Sequence, residues 1–143
     1  LHDALPILYP IIGDIKNPIY FTNAYDFTNQ LSNAIGNNNT FNKEYPIQGK
    51  QAINHLDAAN SFFSIFNPKI KVKPLPTGLL KILSVFKKEM KPVKDMAVYS
   101  EKSKEQFVAH QAGTYKDLGE HTLSVEQYAK KLKDSNFYDY LLK

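Results

Sequence analysis

The sequence predicts an α/β fold, mostly helices with three or four short strands. Two observations lead there. Apolar residues recur at helical spacing in several separate windows, and brief β-prone runs bounded by Gly, Pro or Asn lie between those windows. A third concerns size: strands so few and so short do not make a self-sufficient sheet. They are what a second lobe contributes when the main sheet lies elsewhere.

Taken in order, Ile19–Thr22 is the first β-prone run, and Asn23 follows it as an N-cap. Ala24, Phe27, Leu31, Ala34 and Ile35 then mark the inner stripe of a helix over 24–35, ended by Gly36 and the polar loop Asn37-Asn38-Asn39. Tyr45–Gln48 reads as a second strand, closed by Gly49. Asn54 caps the next helix, with Asp57 in its positive first turn, with Leu56, Ala59, Phe63 and Phe66 inward and with Asn67-Pro68 as its stop. Ile70–Val72 is a third strand, running into the rigid Pro74-Leu75-Pro76.

Thr77 is placed to cap an apolar helix through Leu79, Leu80, Leu83, Phe86 and Met90, and Pro92 opposes its continuation. Residues 93–105 hold a polar, exposed helix, and Phe107–Ala109 a brief strand. Ser124 and Gln127 form a capping box for a helix whose inner face is Val125, Tyr128, Ala129 and Leu132. A last short helix carries Phe137, Tyr140 and Leu141. No internal repeat is present.

Composition narrows the function classes. The 143 residues suffice for one modest domain. The absence of Cys excludes disulfides, thiolate metal sites and Cys nucleophiles, and fits a reducing, cytoplasmic setting. No apolar run approaches the roughly 18–20 residues that span a bilayer, so no membrane partner is expected. The net charge of +4 invites a nucleic-acid reading, but all 18 basic residues are Lys. The guanidinium fork used for bidentate base and phosphate recognition is missing, and the densest group, KIKVKP at 69–74, looks like one solvated strand face. No nucleic-acid partner is expected.

The opening heptad LHDALPI is unlike the rest of the chain. The nucleotide string CTACACGACGCTCTTCCGATC, which resembles the end of a sequencing adapter, translates to it. Residues 1–7 are therefore expected to be non-native, and 8–143 to be the C-terminal portion of a longer protein.

Catalytic constellations are scarce. His55 falls in a helical first turn, and His110 and His121 near loops, without HxxH or HExxH spacing; all are expected at the surface. Glu101 and Glu105 read as one solvated, salt-bridged helical face, and Asp14 and Asp26 as structural residues in a turn and a first helical turn. The glycines never reach GxGxxG or P-loop spacing. Tyr128 and Lys131 spell Tyr-x-x-x-Lys, but Tyr128 belongs to an apolar stripe close to the C-terminus; Tyr115-Lys116 is likewise set aside. No residue is assigned as catalytic, cofactor-binding or metal-binding.

Four segments in order carry a resemblance. GDIKNPIYFTNAYDFTNQLSNAI places Asp26 in a strand, "D-x-A", helix passage, with Thr28 in the usual Ala place. EYPIQGKQAINHLDAANSFFSIF puts Asn54, Asp57 and Ala59 at the Thr, Glu and Ala places of "T-x-x-E-x-A". KVKPLPTGLLKILSVF matches a strand, proline turn and apolar helix, and GTYKDLGEHTLSVEQYAKKL a terminal "lG…T-x-E-x-y-a-x-x-L" module.

Together they resemble the C-terminal half of atypical and extended short-chain dehydrogenase/reductases, the NmrA-like and epimerase-like NAD(P)-binding proteins. The resemblance implies the substrate-side lobe of a Rossmann-type fold whose dinucleotide-binding core is missing here. NAD or NADP and a small-molecule substrate would be bound by the intact protein, and the chain alone would be inactive. Residues around Gly13–Asn17 or Pro74–Thr77 would be placed to line the substrate pocket. The alternative is a small self-contained protein-interaction module without catalysis. Substrate, reaction and oligomeric state stay open.

Overall fold

A computed structural model describes residues 7–13, 15–106, 108 and 111–135. Its elements run β1 (Leu8–Ile12), β2 (Pro18–Tyr20), α1 (Ala24–Ala34), β3 (Ala52–Asn54), α2 (His55–Phe66), β4 (Lys71–Leu75), α3 (Thr77–Phe86), α4 (Lys91–Lys102), α5 (Gln111–Leu118) and α6 (Val125–Asp134). Single 3-10 turns occupy Asn38–Thr40 and Lys88–Met90. The α/β class and the helical majority agree with the sequence.

Among the described residues the strands form two separate pairs. β1 and β4 are parallel, in register from Leu8 opposite Lys71 to Ile12 opposite Leu75. β2 and β3 are antiparallel, with Ile19 opposite Ile53. Parallel strands need a long crossover, and the chain supplies one through α1 and α2 before returning as β4; α2 then packs on β4 and on α6.

Three helices begin as their caps dictate. Asn23 Oδ1 accepts from the Asp26 amide at 2.9 Å, and Asn54 Oδ1 from the Asp57 amide at 2.8 Å. Ser124 and Gln127 close a reciprocal capping box. Tyr128, Ala129 and Leu132 turn inward on α6 as expected, with Ala129 fully buried.

Helix α1 reverses the expectation. Phe27, Leu31 and Ile35 are exposed, Ile35 by 78%, while Asp26 and Gln30 are buried. The cause is the end of α5. A helix C-terminus leaves carbonyls without intrahelical partners, and α1 and the loop that follows it supply donors. Gln30 Nε2 donates to the Gly119 carbonyl (2.7 Å), Asn33 Nδ2 to Leu118 (2.9 Å) and Asn37 Nδ2 to Asp117 (3.2 Å). Gly119 follows α5 with φ of +89°, the left-handed conformation that ends helices. Once the amide stripe faces α5, the apolar stripe must face away.

Other boundaries are corrected. Tyr45–Gln48 forms no strand; the pairing partner of β2 is Ala52–Asn54 instead. The third strand runs over 71–75 and includes Pro74, which a strand with an open edge tolerates. Strand β1 and helix α5 have no counterpart among the elements expected from the sequence. Helix α3 stops at Phe86, so Met90 lies in the following 3-10 turn and Pro92 in the first turn of α4, where its missing N–H costs little. Thr77 does not cap α3; it is the first helical residue, and its hydroxyl donates to Glu101. Of the α3 stripe only Leu80 is buried, at 0% exposed, while Phe86 is 81% exposed. Residues 91–102 are helical and largely exposed, as expected. Glu105 lies beyond that helix, so it and Glu101 do not share a face; Glu105 accepts from the Tyr20 amide (2.9 Å) and from Gln48 Nε2 (2.6 Å). The strand expected at Phe107–Ala109 and the helix with Phe137, Tyr140 and Leu141 lie outside the described residues.

Close packing concentrates at a few positions. Leu80→Ala should cost about 2–5 kcal/mol of unfolding free energy. A Cβ at Gly49 would overlap the Phe21 carbonyl, whereas one at Gly78 meets nothing within 4 Å. Gly49→Ala should therefore destabilise by more than about 2 kcal/mol, and Gly78→Ala, inside α3, should stabilise by up to about 1 kcal/mol. Chemical denaturation of the three variants checks the ranking.

Candidate functional site

The starts of α1, α2 and α6 converge on one cavity of about 450 Å³, which Asn23, His55 and Ser124 border. Its walls are rings: Tyr9 from β1, Phe21 from the end of β2, Phe62 and Phe63 from α2, and Tyr128 from α6. The ring centroids of Tyr9 and Phe63 are 4.8 Å apart, those of Phe62 and Phe63 5.2 Å, and those of Phe62 and Tyr128 6.2 Å. Such separations suit tilted and edge-to-face aromatic contact. Ala58 and Ala59 also line the cavity, and their small side chains leave its space open. The volume lies within the range of pockets that enclose small organic ligands.

Among the described residues, no Asp, Glu, Lys or Arg lines this cavity. Each helix start nevertheless carries an acid in its first turn: Asp26, Asp57 and Glu126. All three are engaged locally. Asp57 accepts from Asn54 Nδ2 at 2.7 Å and Glu126 from Ser124 Oγ at 2.9 Å. The Glu126 carboxyl is held below its ordinary value by its own backbone amide and by Ser124, against the upward push of burial. Asp26, only 2% exposed, accepts from the Thr122 amide (3.1 Å), the Thr122 hydroxyl (2.8 Å), the Leu123 amide (3.1 Å) and Asn23 Nδ2 (2.5 Å). Burial alone would raise its pKa, but these hydrogen bonds outweigh it and the value is lowered.

A smaller cavity of about 230 Å³ adjoins, sharing Phe21 and residues 123–125 as lining; Lys50, Gln51, His121 and Gln127 line it further. Lys50 is paired with Glu120 at 2.5 Å. His121 is not at the surface as expected but 5% exposed, with Nδ1 3.6 Å from Asp26 Oδ2 and neither ring nitrogen hydrogen-bonded. Burial lowers its pKa, Asp26 opposes that, and Lys50 adds to it, leaving the value below the usual histidine range.

The remaining sequence candidates separate. His55 lines the larger cavity, half-buried, and its Nδ1 has no hydrogen-bond partner. Tyr128 lines the same cavity, but Lys131 Nζ lies 3.9 Å from the centre of the Tyr25 ring, a cation–π contact apart from the cavity lining. Tyr115 keeps a buried hydroxyl without a partner, and Lys116 is exposed. Asp26 is structural, as expected; Asp14 and His110 lie outside the described residues. Among the described residues, neither Gly13, residues 15–17 nor residues 74–77 line either cavity. The cavity's five rings come from four elements, so only Phe62 and Phe63 were adjacent enough to be noticed in the sequence.

Among the described residues, no cluster of three or more His, Asp or Glu side chains could hold a metal ion, and no helix is long and apolar enough to cross a membrane. No family model, curated protein or solved structure matches the chain.

The buried histidine gives stability a pH dependence with a definite sign. Unfolded histidine takes up its proton near pH 6.5, whereas folded His121 resists it to lower pH. Its contribution is complete above about pH 6.5 and is lost as pH falls through the lowered folded value, by at most about 1.4 kcal/mol per pH unit. Asp26, also lowered, acts in the same direction further down, below about pH 3.9. Stability should therefore drop between pH 7.5 and 5, and His121→Gln should flatten that slope. An equal slope in the variant, measured by urea unfolding, would contradict the assignment.

Proposed function

We propose that the chain is the substrate-side lobe of an NAD(P)-dependent oxidoreductase or epimerase of the short-chain dehydrogenase/reductase type, in which residues outside this chain bind NAD or NADP. The observation that carries the proposal is the parallel β1–β4 pair joined by a helical crossover. Parallel strands occur almost only in sheets covered on both faces by helices, and two strands fall short of an independent sheet. Both strands offer an open edge among the described residues. The ordered sequence resemblance supports the same reading, and the aromatic cavity gives the lobe somewhere to receive a small-molecule substrate. The chain's own residues then enclose and orient the substrate, while the dinucleotide supplies the redox chemistry when bound.

A second reading, a self-contained interaction module, draws on the apolar side chains α3 and α4 leave outside: Val85, Phe86, Met96 and Tyr99 are each more than 70% exposed. Two measurements separate the readings. Calorimetric titration of the chain with NADH and NADPH should give no saturable heat, and coding sequence upstream of Leu8 should specify a glycine-rich turn after a strand. Tight dinucleotide binding by this chain, or an unrelated upstream domain, would overturn the proposal.

A further inference from the structure

We infer that the hairpin of α3 and α4 docks on an anionic lipid surface, with Val85 and Phe86 entering the headgroup layer and Lys87, Lys88 and Lys91 meeting the lipid charges. The inference does not rest on the proposed function, and its failure would leave that reading standing.

The hairpin is tied down at its base. The Thr77 hydroxyl at the start of α3 donates to Glu101 near the end of α4, so the two helices run antiparallel. Gly13, just past β1, lies so close to α4 that a Cβ there would overlap Ser100 Oγ. Among the described residues, α3 and α4 otherwise pack mainly on each other and on the turn between them. At the far end, residues 85–89 are exposed without a break, Val85 by 77% and Phe86 by 81%. The length of α3 sets base and tip about 15 Å apart.

Charge selects the kind of partner. Over 81–91 the chain carries Lys81, Lys87, Lys88 and Lys91 against the single acid Glu89. Among the described residues none of these four lysines is in an ion pair, whereas Lys94, further along α4, is paired with Asp95 at 2.6 Å. The other exposed apolar stripe differs: Phe27, Leu31 and Ile35 lie along α1, a helix with no lysine. An apolar tip set among unpaired cations fits an anionic surface, where buried apolar area and attraction to acidic lipid act together.

Shape separates a bilayer from a protein partner. Neither cavity draws on residues 77–102, so the hairpin presents a projection and not a pocket for a partner's anchor residue. Lysine is also depleted in protein interfaces. A second copy meeting this tip across a two-fold axis would set lysine against lysine. A headgroup layer imposes no matching shape. It takes in a projecting apolar side chain to a depth of roughly 5–10 Å, while lysine stems lie along it with their ammonium groups in water. No helix among the described residues is long and apolar enough to cross a bilayer, and docking on its surface needs no crossing.

The test uses the full chain, whose lack of Trp makes Phe86→Trp a single reporter. Cosedimentation compares vesicles of phosphatidylcholine with vesicles of equal parts phosphatidylcholine and phosphatidylserine. The chain should bind the mixed vesicles and not the neutral ones, and added salt should release it. Each lysine near the surface is worth about fivefold in affinity, so Lys87→Glu with Lys88→Glu should weaken binding at least about 25-fold. Phe86→Ser should weaken it about tenfold. The Phe86→Trp emission should shift to the blue and be quenched by brominated acyl chains, and Ile35→Trp on α1 should show neither. All these positions are exposed, and circular dichroism of the variants should match the parent chain. The inference is overturned by no binding to the mixed vesicles, by equal binding to the neutral ones, by affinity unchanged in either the lysine or the Phe86→Ser variant, or by equal quenching at Ile35→Trp. A dimer in vesicle-free solution that Phe86→Ser dissociates would assign the tip to a second copy and overturn it as well.

Discussion

The Asp26 carboxylate holds together parts of the chain nearly a hundred residues apart. Its oxygens accept from the amides of Thr122 and Leu123 and from the Thr122 hydroxyl, so the start of α1 is fixed against the segment that delivers Ser124 to cap α6. A buried carboxylate is unfavourable unless its lone pairs are filled, and here the pairing is thorough enough to keep it ionised below its ordinary pKa despite burial. One turn further on, Gln30 and Asn33 hold the final carbonyls of α5 and Gly119 beyond it. The contact between α1 and α5 is thus polar, directional and intolerant of slippage.

The cavity inherits its shape from that arrangement. Leu123, Val125 and Tyr128 form one wall only because the 122–124 segment is pinned, and α6 then lies along α2, bringing Tyr128 to Phe62. Tyr9 joins the lining because β1 pairs with β4, on which α2 packs, and its ring meets that of Phe63. Among the described residues, the largest fully buried side chains are Leu80, Gln30, Thr114 and Asp26, so three of these four are polar and hydrogen-bonded. The exposed apolar stripes of α1 and α3 follow from the same economy: the helices spend their inward positions on amide contacts or on single residues.

Local signals were legible in the sequence, and distant ones were not. The caps at Asn23, Asn54 and Ser124 act over three residues, so their chemistry is complete within the sequence window. Strand β1 contains Pro10, and its partner lies some sixty residues away, so nothing local marks it as a strand. Periodicity misplaces the inward face of α1 because it finds an apolar stripe without saying what the opposite stripe meets; the carbonyls at the end of α5 that claim Gln30 and Asn33 are remote. The burial of His121 is likewise hidden from the sequence, because its neighbour Asp26 is distant along the chain. The cavity was invisible for the same reason, since its rings are contributed by separate elements.

The dependence on Asp26 can be measured residue by residue. Amide hydrogen exchange of Asp26→Ala should show protection lost at Thr122 and Leu123 and reduced through the first turns of α6, while the amides of the β1–β4 pair keep theirs. Unchanged protection at 122–123 and in α6, in a variant that folds, would contradict the account.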